Sequence, residues 1–425
     1  HYVREGSALD AEALRRGTSV YLVDRAIPML PEPLSSDLCS LRPGHDRLAL
    51  SLLVTLDARG RVLGHELVRS VIRSRHRLAY EDAQAVLDGA LSVDAETDEA
   101  LRRLAELARA LRAARAARGS LDFDLPEARV ILNRHGEPTD IQRVLRLESH
   151  RLVEDFMLLA NETIARRAAR ARLPFLYRVH EPPDPDRIEQ LREFVAGFGL
   201  QLRGAGAARP KDLQRLLVDV RGRPEEALVS TVLLRSMKQA RYAAEPAGHF
   251  GLAARHYTHF TSPIRRYPDL VVHRLAARAF IDREPPSAAL GPEALAEIAR
   301  RSSERERVAV EAERDSIDLK KVEFMERHLG DSFTGTVSGI ASFGAFVLLD
   351  DFFVEGLVHV SSLDDDYYVH LEDRYALVGE RTRRRIQLGD RVRVRVARVN
   401  REERTIDFLL EGTPPAAGGR RRRGI

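Results

Sequence analysis

The alternation of apolar and polar positions divides the chain into a first part, in which strands precede helices, and a last part of short strands. Alternating residues interrupted by turn sequences predict hairpins at roughly 47–73, turned at DARG, and at 121–146, turned at NRHGEP. A short helix capped by Ser7 or Asp10 should end near Gly17. Further helices are predicted between Asp94 and Gly119, from Ser149, and near 184–197, 210–220, 224–240 and 290–328. This order indicates an α+β body.

The helix that ends at Gly119 shows a division between an apolar face and charged positions. The residues expected to share its buried face are Leu101, Leu104, Ala108 and Leu111. Arg102, Arg109 and Arg112 lie elsewhere on its circumference, which predicts a solvated charged face. The helix from Ser149 is expected to be long and buried, with apolar residues at positions 152, 153, 156, 157, 159, 160 and 164.

The pattern of apolar residues changes at Gly330, where helical periodicity is followed by short strand-like segments separated by glycines. The strand-like segments are FTGTVSGIASFGAFVLL, EGLVHVSSL, LGDRVRVRVARVN and TIDFLL. They predict a small all-β barrel, so the chain is expected to contain one domain at 1–328 and a second at 329–412. The basic tail at 413–425 has no apolar periodicity and is expected to be disordered.

Composition narrows the class of protein. Apolar residues make up 44% of the 425 residues, which is enough for sizeable cores, and 68 basic against 64 acidic residues leave a net charge of only +4. The strong excess of arginine over lysine suits bidentate contacts to phosphate if the arginines cluster. A single cysteine, Cys39, excludes an internal disulfide and fits a reducing cytoplasm; it is expected in a core. No stretch is apolar for long enough to predict a transmembrane helix.

The segment TSPIRRYPDLVVHR at 261–274 has the highest density of candidate chemistry. Pro263 favours a turn that directs Arg265 and Arg266 in a defined way. A guanidinium held in this way can bind a phosphate through two parallel hydrogen bonds. The alternative is that both arginines form ion pairs with carboxylates such as Asp269.

This segment, together with PMLPEPLSSDLCSLRPG at 28–44 and LDFDLPEARV at 121–130, closely resembles the catalytic domain of the ribonuclease II/ribonuclease R family of 3′→5′ exoribonucleases. The spacing of G-x-V, FGAFV, EGLVHVS and GDxVxVxV resembles an S1-type RNA-binding domain, which is a five-stranded OB-fold barrel. The resemblance implies a mixed α/β catalytic domain followed by this barrel. It also implies a cytoplasmic, monomeric enzyme that processively hydrolyses single-stranded RNA to nucleoside 5′-monophosphates.

The resemblance also implies roles for particular residues. Arg265 would contact the phosphate to be cleaved, and Glu313 would orient the terminal nucleotide, unless Glu311 does so or Glu313 only pairs with a neighbouring arginine. Tyr21 and Phe123 would stack on the terminal bases. Further candidates for RNA contact are Arg266, beside a loop supported by Tyr257, Tyr267 and His273, and the barrel residues Phe333, Phe343, Phe346 and His359.

Magnesium is the cofactor that the resemblance implies. In the family, the metal-binding aspartates lie on a D-x₅-D-x-D-D-type segment before the part that resembles HYVREGSALD, so the ligands are expected upstream of residue 1. No metal ligand is predicted among the 425 residues: Asp364, Asp365 and Asp366 are expected in a solvated loop, and Asp122 and Asp124 to be structural. This chain alone is therefore expected to bind RNA without cutting it. The rival hypothesis is a non-catalytic RNA-binding relative that acts as a scaffold.

Overall fold

The computed structural model describes residues 1–123, 127–204, 208–223, 225–285, 287–371 and 375–412. It shows a mixed α+β body followed by a strand-rich barrel, as the sequence predicted. The tail at 413–425, for which disorder was expected, lies outside the described residues.

The first part of the chain consists of short antiparallel hairpins joined by helices. Its elements, in chain order, are α1 (Ala8–Arg16), β1 (Val20–Tyr21), β2 (Ala26–Ile27), β3 (Asp46–Leu56), β4 (Val62–Arg73), α2 (Tyr80–Leu87), α3 (Ala95–Arg118), β5 (Glu127–Leu132), β6 (Pro138–Val144), α4 (Glu148–Arg170), β7 (Tyr177–Val179), α5 (Pro185–Ala196), α6 (Pro210–Val220), α7 (Glu226–Ser236), β8 (Arg241–Ala243), α8 (Tyr267–Ala277) and α9 (Pro292–Met325). Strands β3 and β4 form the first predicted hairpin, and β5 and β6 form the second.

The caps of the first helix follow the sequence signals. The Ser7 side chain accepts a hydrogen bond from the N–H of Asp10 at the start of α1, and Gly17 ends the helix with a φ of 72°. Any side chain added at Gly17 would also meet Arg305 of α9 at 2.6 Å. Glycine at this position therefore allows α1 to end against the long helix.

The three largest clusters of buried side chains in the described part of the chain are supplemented by two small ones. The first lies between α4, α8 and α9 and includes Ile164, Phe175 and Val271, each with no exposed surface. A second packs α5, α6 and α7 together. The third fills the barrel and extends to Phe324 and Met325 at the end of α9. Helix α9 therefore links the body to the barrel through a shared core.

Helix α3 departs from the prediction on both of its faces. Leu104 is 39% exposed, whereas Ala105 is 5% exposed, so the buried face passes through the neighbouring position. Arg112 does not project into solvent: its guanidinium pairs with Glu148 at 3.0 Å and with Asp155 at 2.9 Å on α4, and Arg115 also pairs with Asp155. Asp155 is buried, and two cations compensate its charge in place of water.

The barrel is closed by five strands in the order β10–β11–β16–β15–β9. A separate three-stranded sheet, β12–β13–β14, is inserted between β11 and β15 and was not predicted. The strands are β9 (Ser332–Ala341), β10 (Gly344–Leu349), β11 (Glu355–His359), β12 (Tyr368–Leu371), β13 (Ala376–Gly379), β14 (Arg385–Gln387), β15 (Arg391–Asn400) and β16 (Thr405–Gly412). Along β15, buried valines alternate with exposed arginines, as expected for a half-buried strand.

Cys39 contradicts its prediction as a core residue. It is half-buried beside a π-helical turn at Pro33–Leu38. Partial burial raises the pKa of its thiol, and nearby Arg47 acts in the opposite direction. The prediction for Cys39 was wrong because the turn beside it follows a Pro-rich surface loop and not a strand.

Candidate functional site

One edge of the segment 17–23 brings together three of the predicted site residues. The backbone N–H of Ser19 donates to the carbonyl oxygen of Arg265 at 2.9 Å, and that of Tyr21 donates to Oε1 of Glu313 at 2.7 Å. The N–H of Tyr267 returns a bond to the carbonyl of Gly17 at 2.9 Å. The strand that carries Tyr21 is thus bound on the same side to the Arg265 loop and to α9.

The loop at 257–266, which ends beside α8, is held by buried polar side chains. Asn161 of α4 accepts a hydrogen bond from the N–H of Phe260 at 2.9 Å and donates to the hydroxyl of Tyr257 at 3.0 Å. A ring nitrogen of His273 lies 2.7 Å from the carbonyl of Phe260. Because these partners are buried and fixed, the loop is rigid before any ligand arrives. The supporting roles predicted for Tyr257 and His273 are confirmed.

Arg265 and Arg266 have different environments. Arg266 makes a bidentate contact with Asp269, at 2.9 and 2.7 Å, and Asp269 also accepts a hydrogen bond from the N–H of Ser262 at 2.8 Å. Although burial acts against it, the carboxylate of Asp269 raises the pKa of Arg266. The Arg265 side chain is exposed, and its guanidinium has no hydrogen bond or ion pair within the described ranges. The ion-pair alternative therefore holds for Arg266 and not for Arg265.

The two predicted base-stacking residues differ in exposure. Tyr21 is 50% exposed, so its ring is open to a ligand. Phe123 is partly buried against the core formed by α5, α6 and α7. No ring contact between the two occurs among the residues that the structure describes. The roles predicted for both rings in RNA binding stay predictions.

Glu313 and Glu311 are now distinguished by their contacts. Glu311 is exposed, while the carboxylate of Glu313 faces the strand and accepts the N–H of Tyr21. In the part of the chain with described coordinates, Glu313 has no ion pair with Arg307 or Arg314. The contact that the structure shows is thus with the Tyr21 backbone, and the role of Glu313 toward a nucleotide stays a prediction.

On the barrel, Phe343 and Phe346 lie together near one end of β10. Their rings meet edge to face with centroids 6.0 Å apart, and Phe343 is 47% exposed. In the register of β10 and β11, Phe346 is opposite Leu357 and Gly344 is opposite His359, so Phe346 and His359 project from the outer face. His359 is exposed, and its Nδ1 accepts the N–H of Ser361 at 3.1 Å.

Phe333 lies in a different environment. Its ring contacts His328 and Phe352, with centroid distances of 5.7 and 5.5 Å, and His328 and Phe352 also contact Phe324 at the end of α9. This aromatic cluster packs the barrel against the helix. The packing gives Phe333 a structural role, and its contact with RNA stays a prediction.

No group of three or more His, Cys, Asp or Glu side chains that could hold a metal occurs within the described ranges. The aspartates at 364–366 do not converge: Asp366 accepts the N–H of Arg381 at 2.9 Å and the hydroxyl of Thr382 at 2.7 Å, while Asp365 pairs with Arg384 at 2.8 Å. Asp122 pairs with Arg146 at 2.6 Å, and Asp124 lies outside the described residues. These residues therefore do not fit a catalytic metal.

One supporting residue of the loop was missed by sequence reasoning. Asn161 lies on a predicted buried helix, and a buried amide in such a helix signals a specific hydrogen-bond partner. His259 is also held near this loop, and its Nδ1 lies 2.9 Å from the hydroxyl of Tyr242. Burial, with nearby Arg266 and Arg178, lowers the pKa of His259 well below its ordinary value, so it is neutral.

The α+β body and the closed five-stranded barrel define a class of two-part proteins in which a mixed domain precedes an OB-type barrel. Residues 1–281 match the RNB domain, and residues 327–411 match the S1 RNA binding domain. The chain belongs to the RNB domain family.

The relatives are similar over nearly the whole chain. Ribonuclease R of Aquifex aeolicus is 44% identical over 417 residues, which cover 96% of this chain and 58% of the relative. Ribonuclease R of Escherichia coli is 41% identical over 422 residues, covering 96% and 52%. The chain thus spans about half the length of the curated relatives it matches.

Solved structures of a ribonuclease R are also similar to nearly the whole of this chain. The apo form of Mycoplasma genitalium ribonuclease R has a TM-score of 0.92 and 27% identity, covering 96% of this chain and 65% of that one. The same values hold for that enzyme in complex with ribose-methylated single-stranded RNA.

None of the described helices of this chain is long and apolar enough to cross a membrane.

Proposed function

We propose that this protein, at full length, is a processive 3′→5′ exoribonuclease that hydrolyses single-stranded RNA to nucleoside 5′-monophosphates. The observation that carries the proposal is the strand edge that joins the backbone of Arg265, the backbone of Tyr21 and the carboxylate of Glu313. The residues that would neutralise a phosphate, stack on a base and orient a nucleotide are thus connected through one strand by two hydrogen bonds. The RNA-bound ribonuclease R from Mycoplasma genitalium, which has this fold, supports the choice of ligand.

Arg265 is proposed to bind the phosphate next to the scissile bond. Its guanidinium is exposed and has no anionic partner among the described residues, so phosphate binding would not require breaking an existing ion pair. The loop below it is already rigid, which lowers the entropic cost of binding. A fixed cation at this point favours the additional negative charge that develops in phosphoryl transfer.

Tyr21 and Phe123 are proposed to stack on bases near the 3′ end, and Glu313 to orient the terminal nucleotide. Stacking suits an enzyme without base preference, because every base has a flat π face. Phe343, Phe346 and His359 of the barrel are proposed to hold the strand before it reaches the body. Arg266 and Phe333 complete the proposed set of RNA-binding residues. Both are less accessible to RNA, because Arg266 forms an ion pair with Asp269 and Phe333 packs in an aromatic cluster.

Magnesium dependence belongs to this proposal, with its ligands outside residues 1–425. The described residues do not fit a metal, so no chemical step is assigned to one here. On this proposal residues 1–425 alone bind RNA but do not cleave it. We further propose that the protein acts in the cytoplasm as a monomer, which size-exclusion chromatography with light scattering tests.

The decisive experiment follows the decay, with magnesium, of a single-stranded RNA labelled along its whole length, which reports released mononucleotides, beside the same RNA labelled at its 5′ end, which reports the direction of decay. The full-length gene product and residues 1–425 are assayed side by side. Mononucleotide release by the full-length protein and binding alone by residues 1–425 are expected. If both proteins bind RNA without cleaving it, the proposed exoribonuclease activity is overturned, and the protein is a non-catalytic RNA-binding protein.

A further inference from the structure

Ser316 of α9 also contacts the strand that carries Tyr21. Its hydroxyl oxygen accepts a hydrogen bond of 3.1 Å from the backbone N–H of Val23. Glu313 and Ser316 are three residues apart on the helix, and Tyr21 and Val23 are two apart on the extended strand. Both spacings place their members on one side of the element, so the helix and the strand face each other through two matched bonds.

The remaining backbone groups of the hairpin explain why the strand needs these acceptors. Tyr21 pairs with Ala26 in the register of β1 and β2, and the N–H of Leu22 donates to the carbonyl of Arg25 at 2.9 Å. Alternate N–H groups, those of Ser19, Tyr21 and Val23, point away from β2. Three different acceptors satisfy them in turn, namely a backbone carbonyl, a carboxylate and a hydroxyl.

Strands β1 and β2 have two residues each, and such a short hairpin is not stable by itself. The side chains of α9 take the place of a third strand along its outer edge. A single bond at Tyr21 would leave the following residues free to pivot, whereas the second bond at Val23 fixes the direction of the strand. The half-exposed ring of Tyr21 is therefore oriented from both sides of its own backbone.

We propose that Ser316 is a positioning residue for the 3′ end of RNA: with Glu313, it fixes the strand that presents Tyr21 to the terminal base. The inference rests on the proposed function and deepens it. It assigns to Ser316 no contact with the substrate. It predicts that the hydroxyl matters through the orientation of Tyr21, and not through the stability of the fold.

The test compares three variants of the full-length protein. Ser316→Ala removes the acceptor, and Ser316→Thr retains it. Ser303→Ala is the matched control, because Ser303 also lies on α9 and accepts a strand N–H, that of Tyr242, at 2.9 Å. Hydrogen–deuterium exchange of the free protein over residues 20–25 reports the strand, independently of any activity.

The second readout is the affinity for two RNAs in a chelator that prevents cleavage. One RNA ends in an ordinary nucleotide and the other in an abasic one, and the ratio of their dissociation constants measures stacking at the 3′ end. Ser316→Ala is expected to speed exchange at 20–25 and to lower this ratio about fivefold, the effect of one lost hydrogen bond. Ser316→Thr should restore both values, and Ser303→Ala should leave the ratio as in the wild type.

The outcomes separate the two proposals. Wild-type exchange and a wild-type affinity ratio in Ser316→Ala would overturn the positioning role even if the protein degrades RNA. Faster exchange with an unchanged ratio would show that Ser316 holds the strand without affecting the RNA end, which also overturns it. A protein that discriminates the two RNAs through Ser316 but releases no mononucleotides would overturn only the exoribonuclease activity.

Discussion

The guanidinium of Arg266 lies against the carboxylate of Asp269 in a bidentate contact at 2.7 and 2.9 Å, and Asp269 has no exposed surface. This pair anchors the start of α8 and, through the N–H of Ser262, the loop before it. The preceding guanidinium in the chain, that of Arg265, is exposed and free of such contacts within the described ranges. The two adjacent arginines therefore differ in role: Arg266 fixes the loop, and Arg265 faces the solvent.

The first prediction concerns these two arginines. Arg265→Ala should lower RNA turnover by the full-length protein by more than tenfold, while its melting temperature stays within a degree or two of the wild type. Arg266→Ala should instead destabilise the fold by about 3–5 kcal/mol, because it leaves the buried Asp269 without its cation. Kinetic assays and chemical denaturation of both variants measure the contrast.

A lysine variant serves as the control for charge alone. Arg265→Lys keeps the positive charge but loses the bidentate geometry, and we expect turnover between those of the wild type and Arg265→Ala. Equal stability losses in Arg265→Ala and Arg266→Ala would contradict the assignment, because they would mean that both arginines are structural.

The second prediction concerns the exposed ring of Tyr21. Tyr21→Ala should weaken binding of single-stranded RNA by roughly 1–3 kcal/mol, the range for loss of one stacked base. Tyr21→Phe retains the ring and should bind as the wild type does. Ile27→Ala is the control, because Ile27 is also exposed and lies on the other strand of the same hairpin. Fluorescence anisotropy with a short labelled RNA measures all three, and a loss in Tyr21→Phe equal to that in Tyr21→Ala would exclude stacking.

Local patterns predicted most of the helices and both long hairpins, because their signals lie within a few residues of each other. The β3–β4 hairpin has a polar turn between alternating segments, and α3 is bounded by the capping residues Asp94 and Gly119. Helix α8 was not among the predicted helices, although Pro268 lies in its first turn, where proline is well tolerated. The inserted sheet β12–β14 consists of strands of three or four residues, too short for alternation to be recognised.

The site itself was only partly predictable. The resemblance pointed to Arg265, Tyr21 and Glu313 as individual residues, but not to their connection along one strand edge. The bond between Tyr21 and Glu313 joins residues 292 positions apart, and no periodicity extends over that distance. The residues alone left the ion-pair alternative open for both Arg265 and Arg266, and only the resemblance selected Arg265, because the geometry that selects one partner for Asp269 belongs to the folded loop.

The third prediction separates two aromatic residues of the barrel. Phe343→Ala should weaken RNA binding and leave stability nearly unchanged, because its ring is 47% exposed and meets the ring of Phe346 edge to face. Phe333→Ala should lower stability by about 3–5 kcal/mol, the usual cost of truncating a packed phenylalanine, since it opens the cluster with His328 and Phe352. Thermal unfolding and RNA titrations of each variant provide the comparison. Equal losses of RNA affinity at unchanged stability would place Phe333 on the binding surface after all.

The fourth prediction concerns the charge cluster between α3 and α4. Asp155→Ala should destabilise the protein by about 3–5 kcal/mol, because Arg112 and Arg115 would lose their shared buried partner. Glu99→Ala provides the matched control on the outer face of α3: its pair with Arg103 at 2.7 Å is exposed and should matter little. Denaturant titrations of the two variants test the difference. Similar midpoints would show that the buried pairs are no stronger than the exposed one.

The last prediction concerns pH and follows from four histidines near the arginine loop. Burial is the main cause that lowers the pKa values of His180, His249, His259 and His273, and that of His249 falls to about 3. In the unfolded chain these groups bind protons near pH 6.5, whereas the folded chain resists protonation until a lower pH. The unfolded state therefore binds more protons below pH 6.5, and stability should fall as the pH falls from about 6.5 toward 3.

Between its pKa in the folded protein and about 6.5, each such histidine should remove about 1.4 kcal/mol of stability for every pH unit of acidification. We expect the melting temperature to decrease clearly between pH 7 and pH 5, before carboxylates lose their charge. His249→Phe retains a ring against Tyr257, 5.2 Å away, but cannot be protonated. Because one titrating group is removed, the loss of stability between pH 7 and pH 5 should be smaller in this variant than in the wild type. Identical pH dependence of the two melting temperatures would show that His249 is already protonated in the folded protein at pH 5, against the direction of the pKa shift that its burial predicts.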